Sequence, residues 1–167
     1  MKEIKNNENL EICSKCGGAC CKRYAGAYIP EDFKGVNLHN IEEFEKILLE
    51  GNVSIDWYED YGENGEEGYF IRPRHVGGDI VDSSWGSTCH YLTDKGCSLT
   101  FEERPYFCKK LVPNENMLCG EEKSKEKYAD AWKDYYEVIE RLRIKYDKGT
   151  YTGEKSPLAY LFDLFNE

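Results

Sequence analysis

Half of the chain's eight cysteines fall within nine consecutive residues, 13–21. This stretch reads Cys-Ser-Lys-Cys-Gly-Gly-Ala-Cys-Cys, so its last two thiols are adjacent. A single buried thiol packs as a small hydrophobic group, but four thiols this close together indicate a soft metal. Thiolates select zinc, Cu(I) or iron–sulfur clusters. The stretch therefore predicts a class of cofactor, although it does not specify what that cofactor does.

The other four cysteines follow after a gap of 67 residues. A structural zinc site and a 4Fe–4S cluster each take four thiolates, so eight cysteines suffice for two sites or for one site with spare thiols. Adjacent cysteines and more than four candidates favour an iron–sulfur cluster of the 4Fe–4S type over zinc, which remains the alternative. Cys119, in a loop past Pro113, is the least certain ligand. The candidate metal ligands are Cys13, Cys16, Cys20, Cys21, Cys89, Cys97, Cys108 and Cys119.

The composition predicts one globular metal-binding domain over residues 1–167, with residues 1–10 frayed. It is 40% hydrophobic and 32% charged, with a net charge of −10. That charge argues against nucleic acid and anionic membrane as partners, since both require a basic surface. No signal peptide or membrane-length apolar run is recognisable, so we expect a cytoplasmic protein, where thiols stay reduced. In that compartment, cysteines favour metal or redox chemistry over disulfides.

The pattern around the cysteines predicts a small α+β fold with cysteine-rich loops around a metal site. Gly17-Gly18 disfavours a regular helix through the first thiols, so a tight loop is expected there. Residues 53–58 alternate apolar and polar side chains, which predicts a half-buried strand paired with a second strand from Tyr69. Residues 89–97 predict another β-hairpin, whose ends would bring its two cysteines close together.

Helices are predicted on either side of these hairpins. Pro30 starts a short helical turn, and Asn40 caps a longer helix that Gly51 ends. From Tyr128 to Tyr146 the apolar residues step by three and four, which predicts a long C-terminal helix with one buried stripe. Ser156-Pro157 predicts the start of a last short helix.

Three sequence blocks contain cysteines at a recognisable spacing. They are Cys13-x-x-Cys16-Gly17-x-x-Cys20-Cys21, then Cys89-His90-Tyr91-Leu92 through Gly96-Cys97, then Arg104-Pro105-x-x-Cys108. These blocks resemble the CxxCxxCC family of zinc- or iron-chelating proteins, also called YkgJ-like cysteine cluster proteins. The first block is one residue longer than the family's name implies, and Lys109 stands where a second Arg is expected. The resemblance implies a metal-binding protein.

The same resemblance suggests roles for other residues and one alternative function. Arg104 is expected to donate hydrogen bonds to the thiolates and offset their charge, although a surface ion pair with Glu102 or Glu103 is the alternative. Tyr91 and Tyr106 are expected to shield the site from water. Flagellin lysine N-methylases contain a similar cysteine cluster, so an iron–sulfur-dependent protein-modifying enzyme is the alternative to a binding protein. The expected partners are a metal ion or cluster and a protein partner or substrate.

Overall fold

The computed structural model of the chain describes residues 4, 6, 9–23, 26–61, 66–83, 87–111 and 124–149. Within these ranges the predicted α+β class is confirmed, and none of the helices has the length and apolar character needed to cross a membrane. Cys119 and the helix predicted after Ser156 lie outside the described residues. The elements are α1 (Leu10–Cys16), α2 (Ala19–Arg23), α3 (Ile41–Leu49), β1 (Val53–Tyr61), β2 (Glu66–Pro73), β3 (Leu92–Thr93), β4 (Gly96–Cys97), α4 (Tyr106–Lys109), α5 (Lys125–Trp132) and α6 (Tyr136–Tyr146).

The β1–β2 hairpin is antiparallel, as predicted, with a register running from Val53 opposite Pro73 to Tyr58 opposite Gly68. The prediction that residues 53–58 form a half-buried strand is wrong, because the polar residues Ser54 and Asp56 are buried too. The Ser54 hydroxyl donates to the carbonyl oxygen of Asp79 at 2.6 Å, and Arg72 Nε lies 2.8 Å from a carboxylate oxygen of Asp56. Polar partners therefore cover the second face of the hairpin.

The C-terminal helical segment packs on the hairpin and supplies the centre of the core. Its predicted extent is confirmed, with a 3₁₀ turn over Lys133–Tyr135 between α5 and α6. Trp132 is fully buried, and its indole N–H donates to the carbonyl oxygen of Tyr28 at 2.8 Å. The Phe44 ring of α3 stacks on Trp132 with ring centroids 5.7 Å apart. The core thus holds Tyr28, which follows the first cysteine block in the sequence, in a fixed position.

The expected tight loop at the first cysteines is wrong, since these residues form two short helices. The Asn9 side chain accepts a hydrogen bond from the Ile12 N–H at 3.1 Å and so caps α1. Gly17 ends α1 in the left-handed conformation, with a φ of 59°. The two glycines therefore break the helix without preventing helices on either side, and α1 and α2 each carry two of the thiols.

Candidate metal centre

All seven cysteines in the described part of the chain line one cavity of about 320 Å³. Two come from α1, two from α2, and three from the segment between residues 89 and 108. None of these seven takes part in a disulfide. The cavity reaches the surface, because the exposed Lys95 forms part of its wall. The thiols are Cys13, Cys16, Cys20, Cys21, Cys89, Cys97 and Cys108.

Backbone contacts fix the first cysteine block to the β3–β4 hairpin. The Cys89 N–H donates to the carbonyl oxygen of Cys21 at 2.8 Å. A Cβ added at Gly18 would lie 2.5 Å from a methyl group of Leu92, and the φ of 74° at this position also favours glycine. Cys89 also forms an antiparallel bridge with His75, just beyond β2. The cavity wall is thereby connected to the main hairpin.

Cys108 is positioned by the chain that runs from α2 into the core. The Phe107 N–H donates to the carbonyl oxygen of Ala27 at 3.1 Å, and the Tyr106 N–H donates to a carboxylate oxygen of Asp32 at 2.9 Å. Gly26 packs directly against this peptide, since a Cβ added there would lie 2.6 Å from the Cys108 nitrogen. These contacts place α4 beside the first cysteine block.

We predict that Gly26→Ala weakens metal binding at least about tenfold and destabilises the fold by roughly 1–3 kcal/mol, because the Phe107–Cys108 backbone must move. Metal content per chain and the thermal unfolding curve test this expectation. Gly35→Ala is the control: its φ of 78° makes Ala strained there, but its added Cβ has open space. The control should lose some stability and keep its metal, whereas equal metal content in both variants would contradict the prediction.

Three thiols of the cavity have a raised pKa. The pKa of Cys21 is raised by its hydrogen bond with Cys20, whose Sγ atom lies 3.9 Å away, and by burial. Burial likewise raises the pKa of Cys89 and that of Cys108, and each also feels the charge of Cys97. These thiols stay protonated unless a cation compensates them. A metal ligand must be deprotonated, so binding a metal here releases protons.

Three further residues were predicted to belong to the site, namely Arg104, Tyr91 and Tyr106. Arg104 lines the cavity and its Nε donates to the carbonyl oxygen of Leu99 at 3.3 Å, while its proposed contact with thiolates stays a prediction. Tyr91 lines the cavity as expected. Tyr106 is not part of the wall and packs on Phe107 instead, with ring centroids 5.2 Å apart.

The sequence patterns did not predict Gly26 or Lys95 as residues of the wall, and they misjudged one pair of cysteines. Nothing in the sequence marks Gly26 as a site of close backbone approach, and Lys95 lies within the predicted second hairpin without any sign of a role. Regular helix geometry predicts that Cys20 and Cys21 point apart, yet both line the cavity. The cavity is wide enough that both side chains reach it from adjacent positions of the short helix α2.

The thiols are distributed around the cavity and do not converge on one point. Within the described ranges, no three His, Cys, Asp or Glu side chains lie close enough together to hold a single metal ion. Soft thiol donors are nevertheless the right chemistry for zinc or iron–sulfur clusters. The donor set therefore fits a thiolate-bound metal. The arrangement of the thiols bears on which metal that is.

An α+β domain whose cysteines line one cavity has the architecture of a thiolate metal-binding protein. Residues 12–134 match the CxxCxxCC family model, described as a putative zinc- or iron-chelating domain, and the chain belongs to this family. The match continues through α5, beyond the three cysteine blocks. No curated protein and no solved structure matches the chain.

Proposed function

We propose that the protein binds a 4Fe–4S cluster in the seven-thiol cavity and works in a reducing compartment, the cytoplasm. The observation that supports this most directly is the distribution of seven cysteines, none of them in a disulfide, around one cavity of about 320 Å³. A cubane cluster takes one thiolate at each of four irons, so its ligands come from different sides. A mononuclear site instead needs its ligands to converge on one ion.

The ligands are proposed to come from both cysteine segments. Cys13 and Cys16 lie one helical turn apart on α1, and Cys97 and Cys108 line the cavity from the other segment. Cys20 and Cys21 add two further donors beside them. Four of these thiols suffice for one cluster, so the remaining ones are spare. A bound cluster supplies one-electron redox chemistry or a store of iron, while the chain positions the thiolates and shields them.

The experiment that tests this proposal is the spectrum and metal analysis of anaerobically purified protein. We expect broad absorption near ~400 nm and about four irons and four sulfides per chain. Colourless protein with stoichiometric zinc would contradict the cluster. The Gly35→Ala variant, prepared in parallel, should have the same spectrum, since Gly35 lies outside the cavity wall.

Zinc is the second candidate cofactor, and one distance favours it. The Sγ atoms of Cys20 and Cys21 are 3.9 Å apart. Two thiolates bound to one tetrahedral zinc with Zn–S bonds of about 2.3 Å are separated by about 3.8 Å. The same metal analysis distinguishes the two cofactors.

An iron–sulfur-dependent protein-modifying enzyme is the second candidate function. The access of the cavity to the surface at Lys95 favours it, because a substrate side chain must approach the metal. Electron paramagnetic resonance of the reduced protein distinguishes the two functions. A signal that changes when a lysine-containing peptide is added indicates an iron open to substrate, whereas an unchanged signal favours the binding protein.

A further inference from the structure

Charge is divided unevenly between the cysteine segments and the rest of the chain. Residues 13–23 and 89–111 contain seven basic and three acidic residues, a net charge of +4, although the whole chain carries −10. The remainder therefore carries −14. The seven basic residues are Lys15, Lys22, Arg23, Lys95, Arg104, Lys109 and Lys110.

The residues that line the cavity show the same excess of basic over acidic side chains. Lys95 and Arg104 line the cavity together with the thiols, and no Asp or Glu among the described residues does so. Lys95 is exposed at the tip of the β3–β4 hairpin. The wall of the cavity therefore contains basic but no acidic side chains among the described residues, and one of the basic ones, Lys95, is exposed at the surface.

Further basic groups lie on, or directly after, the short helices that carry the cavity's thiols. Lys22 is exposed on α2, and its Nζ lies 3.8 Å from the position of a Cβ added at Gly17, at the end of α1. Lys110 lies over the Tyr106 ring, with its Nζ 4.8 Å from the ring centroid, just after α4. The Lys15–Glu11 ion pair is largely exposed and is screened by solvent. We call this surface, formed by residues 13–23, 93–96 and 104–110, the basic face.

We propose that the basic face is a docking surface for an acidic protein that exchanges metal or electrons with the cavity. The chain as a whole, with a net charge of −10, repels an acidic partner, whereas the excess of basic residues in the cysteine segments attracts it, so the charge division orients the partner. The partner is a compact acidic protein and not nucleic acid, because an extended polyanion would also meet the remainder of the chain, with its charge of −14.

The purpose of this docking depends on the proposed function, whereas the docking itself does not. Exchange of metal or electrons presupposes a bound metal. Attraction of acidic groups depends only on the basic side chains and is measurable with either zinc or a cluster bound. Failure of the cluster proposal and failure of the docking proposal are therefore observed separately.

The test uses metal-loaded, full-length protein and a short fluorescein-labelled peptide of alternating Glu and Ser as the probe. Anisotropy should show saturable binding at low salt that weakens at least about tenfold at roughly 0.5 M salt, where the Debye length is only about 4 Å. The double variant Lys22→Glu/Lys95→Glu should bind at least about tenfold more weakly. Lys46→Glu/Lys127→Glu is the matched control, since both lysines are exposed outside the basic face, and it should change binding less than about twofold.

Metal content is measured first for every variant. If charge reversal lowers the metal content, the variant Lys22→Gln/Lys95→Gln is used instead of Lys22→Glu/Lys95→Glu. It should also bind the peptide more weakly than the parent protein, but by a smaller factor. Equal binding of the peptide to the parent protein and to the variant of the basic face would overturn the proposal. So would no binding at low salt, or tighter binding of a single-stranded oligonucleotide with the same charge as the peptide.

Discussion

Removing the metal is expected to lower the melting temperature by more than about 10 °C. The cavity joins residues 13–21 to residues 89–108, so a bound metal connects two segments far apart in sequence. Apparent binding free energies of structural metals reach about 10–16 kcal/mol, and 1 kcal/mol shifts the melting temperature of a chain this size by about 2–4 °C. Circular dichroism melts before and after anaerobic chelation measure the difference.

Hydrogen exchange should show which segments lose stability when the metal is removed. Protection should fall in α1, α2 and residues 89–111, while β1, β2, α5 and α6 keep most of theirs, because no residue of their core cluster lines the cavity and only Pro73, at the end of β2, reaches it. The control is the parent protein exposed to the chelator and then reloaded with metal, which should recover its original melting curve. An unchanged melting temperature after complete metal removal would show that the metal does not hold these segments together.

The second large effect is expected from cysteine substitutions on both sides of the cavity. Cys16→Ser, Cys97→Ser and Cys108→Ser should each lower metal affinity at least about tenfold, because a hydroxyl is a harder and poorer ligand than a thiolate. Metal content per chain after dialysis against a weak chelator measures the loss. Cys13→Ser belongs to the same group, whereas Cys119→Ser should be the mildest of the series.

Cys20 and Cys21 provide an internal comparison for this series. Their sulfur atoms are 3.9 Å apart, so either thiol is close enough to replace the other. Each single Ser substitution should therefore lose less metal than the double variant Cys20→Ser/Cys21→Ser. If Cys16→Ser or Cys97→Ser leaves the metal content unchanged, the two cysteine segments do not share one centre and must be treated separately.

Much of the fold follows from local pattern. The spacing of apolar residues from Tyr128 to Tyr146 predicted the C-terminal helical segment, since helix periodicity is set by a single buried face. The turn residues between β3 and β4 predicted the second hairpin. Asn40 caps α3 as predicted, accepting from the Glu42 and Glu43 N–H groups.

The features that local pattern missed depend on distant partners. Asp56 reads as a solvent-facing strand residue, but it is buried because Arg72 on the paired strand lies within ion-pair distance of its carboxylate. Gly26 packs against a peptide more than 80 residues later in the chain, so the local sequence gives no indication of this contact. At α1, the Asn9 cap and the Gly17 end allow a short helix before the glycines, whose low helix propensity takes effect only at the break between α1 and α2.

The hydrogen bond between Cys89 and Cys21 also has a consequence for synthesis of the chain. The 67 residues between these cysteines must be translated after the first four thiols have been made. At about 5–20 residues per second, this delay is roughly 3–13 s. During that interval the nascent chain presents an N-terminal block of thiols whose opposite wall does not yet exist. Closure of the cavity must therefore follow the emergence of Cys108 from the ribosome.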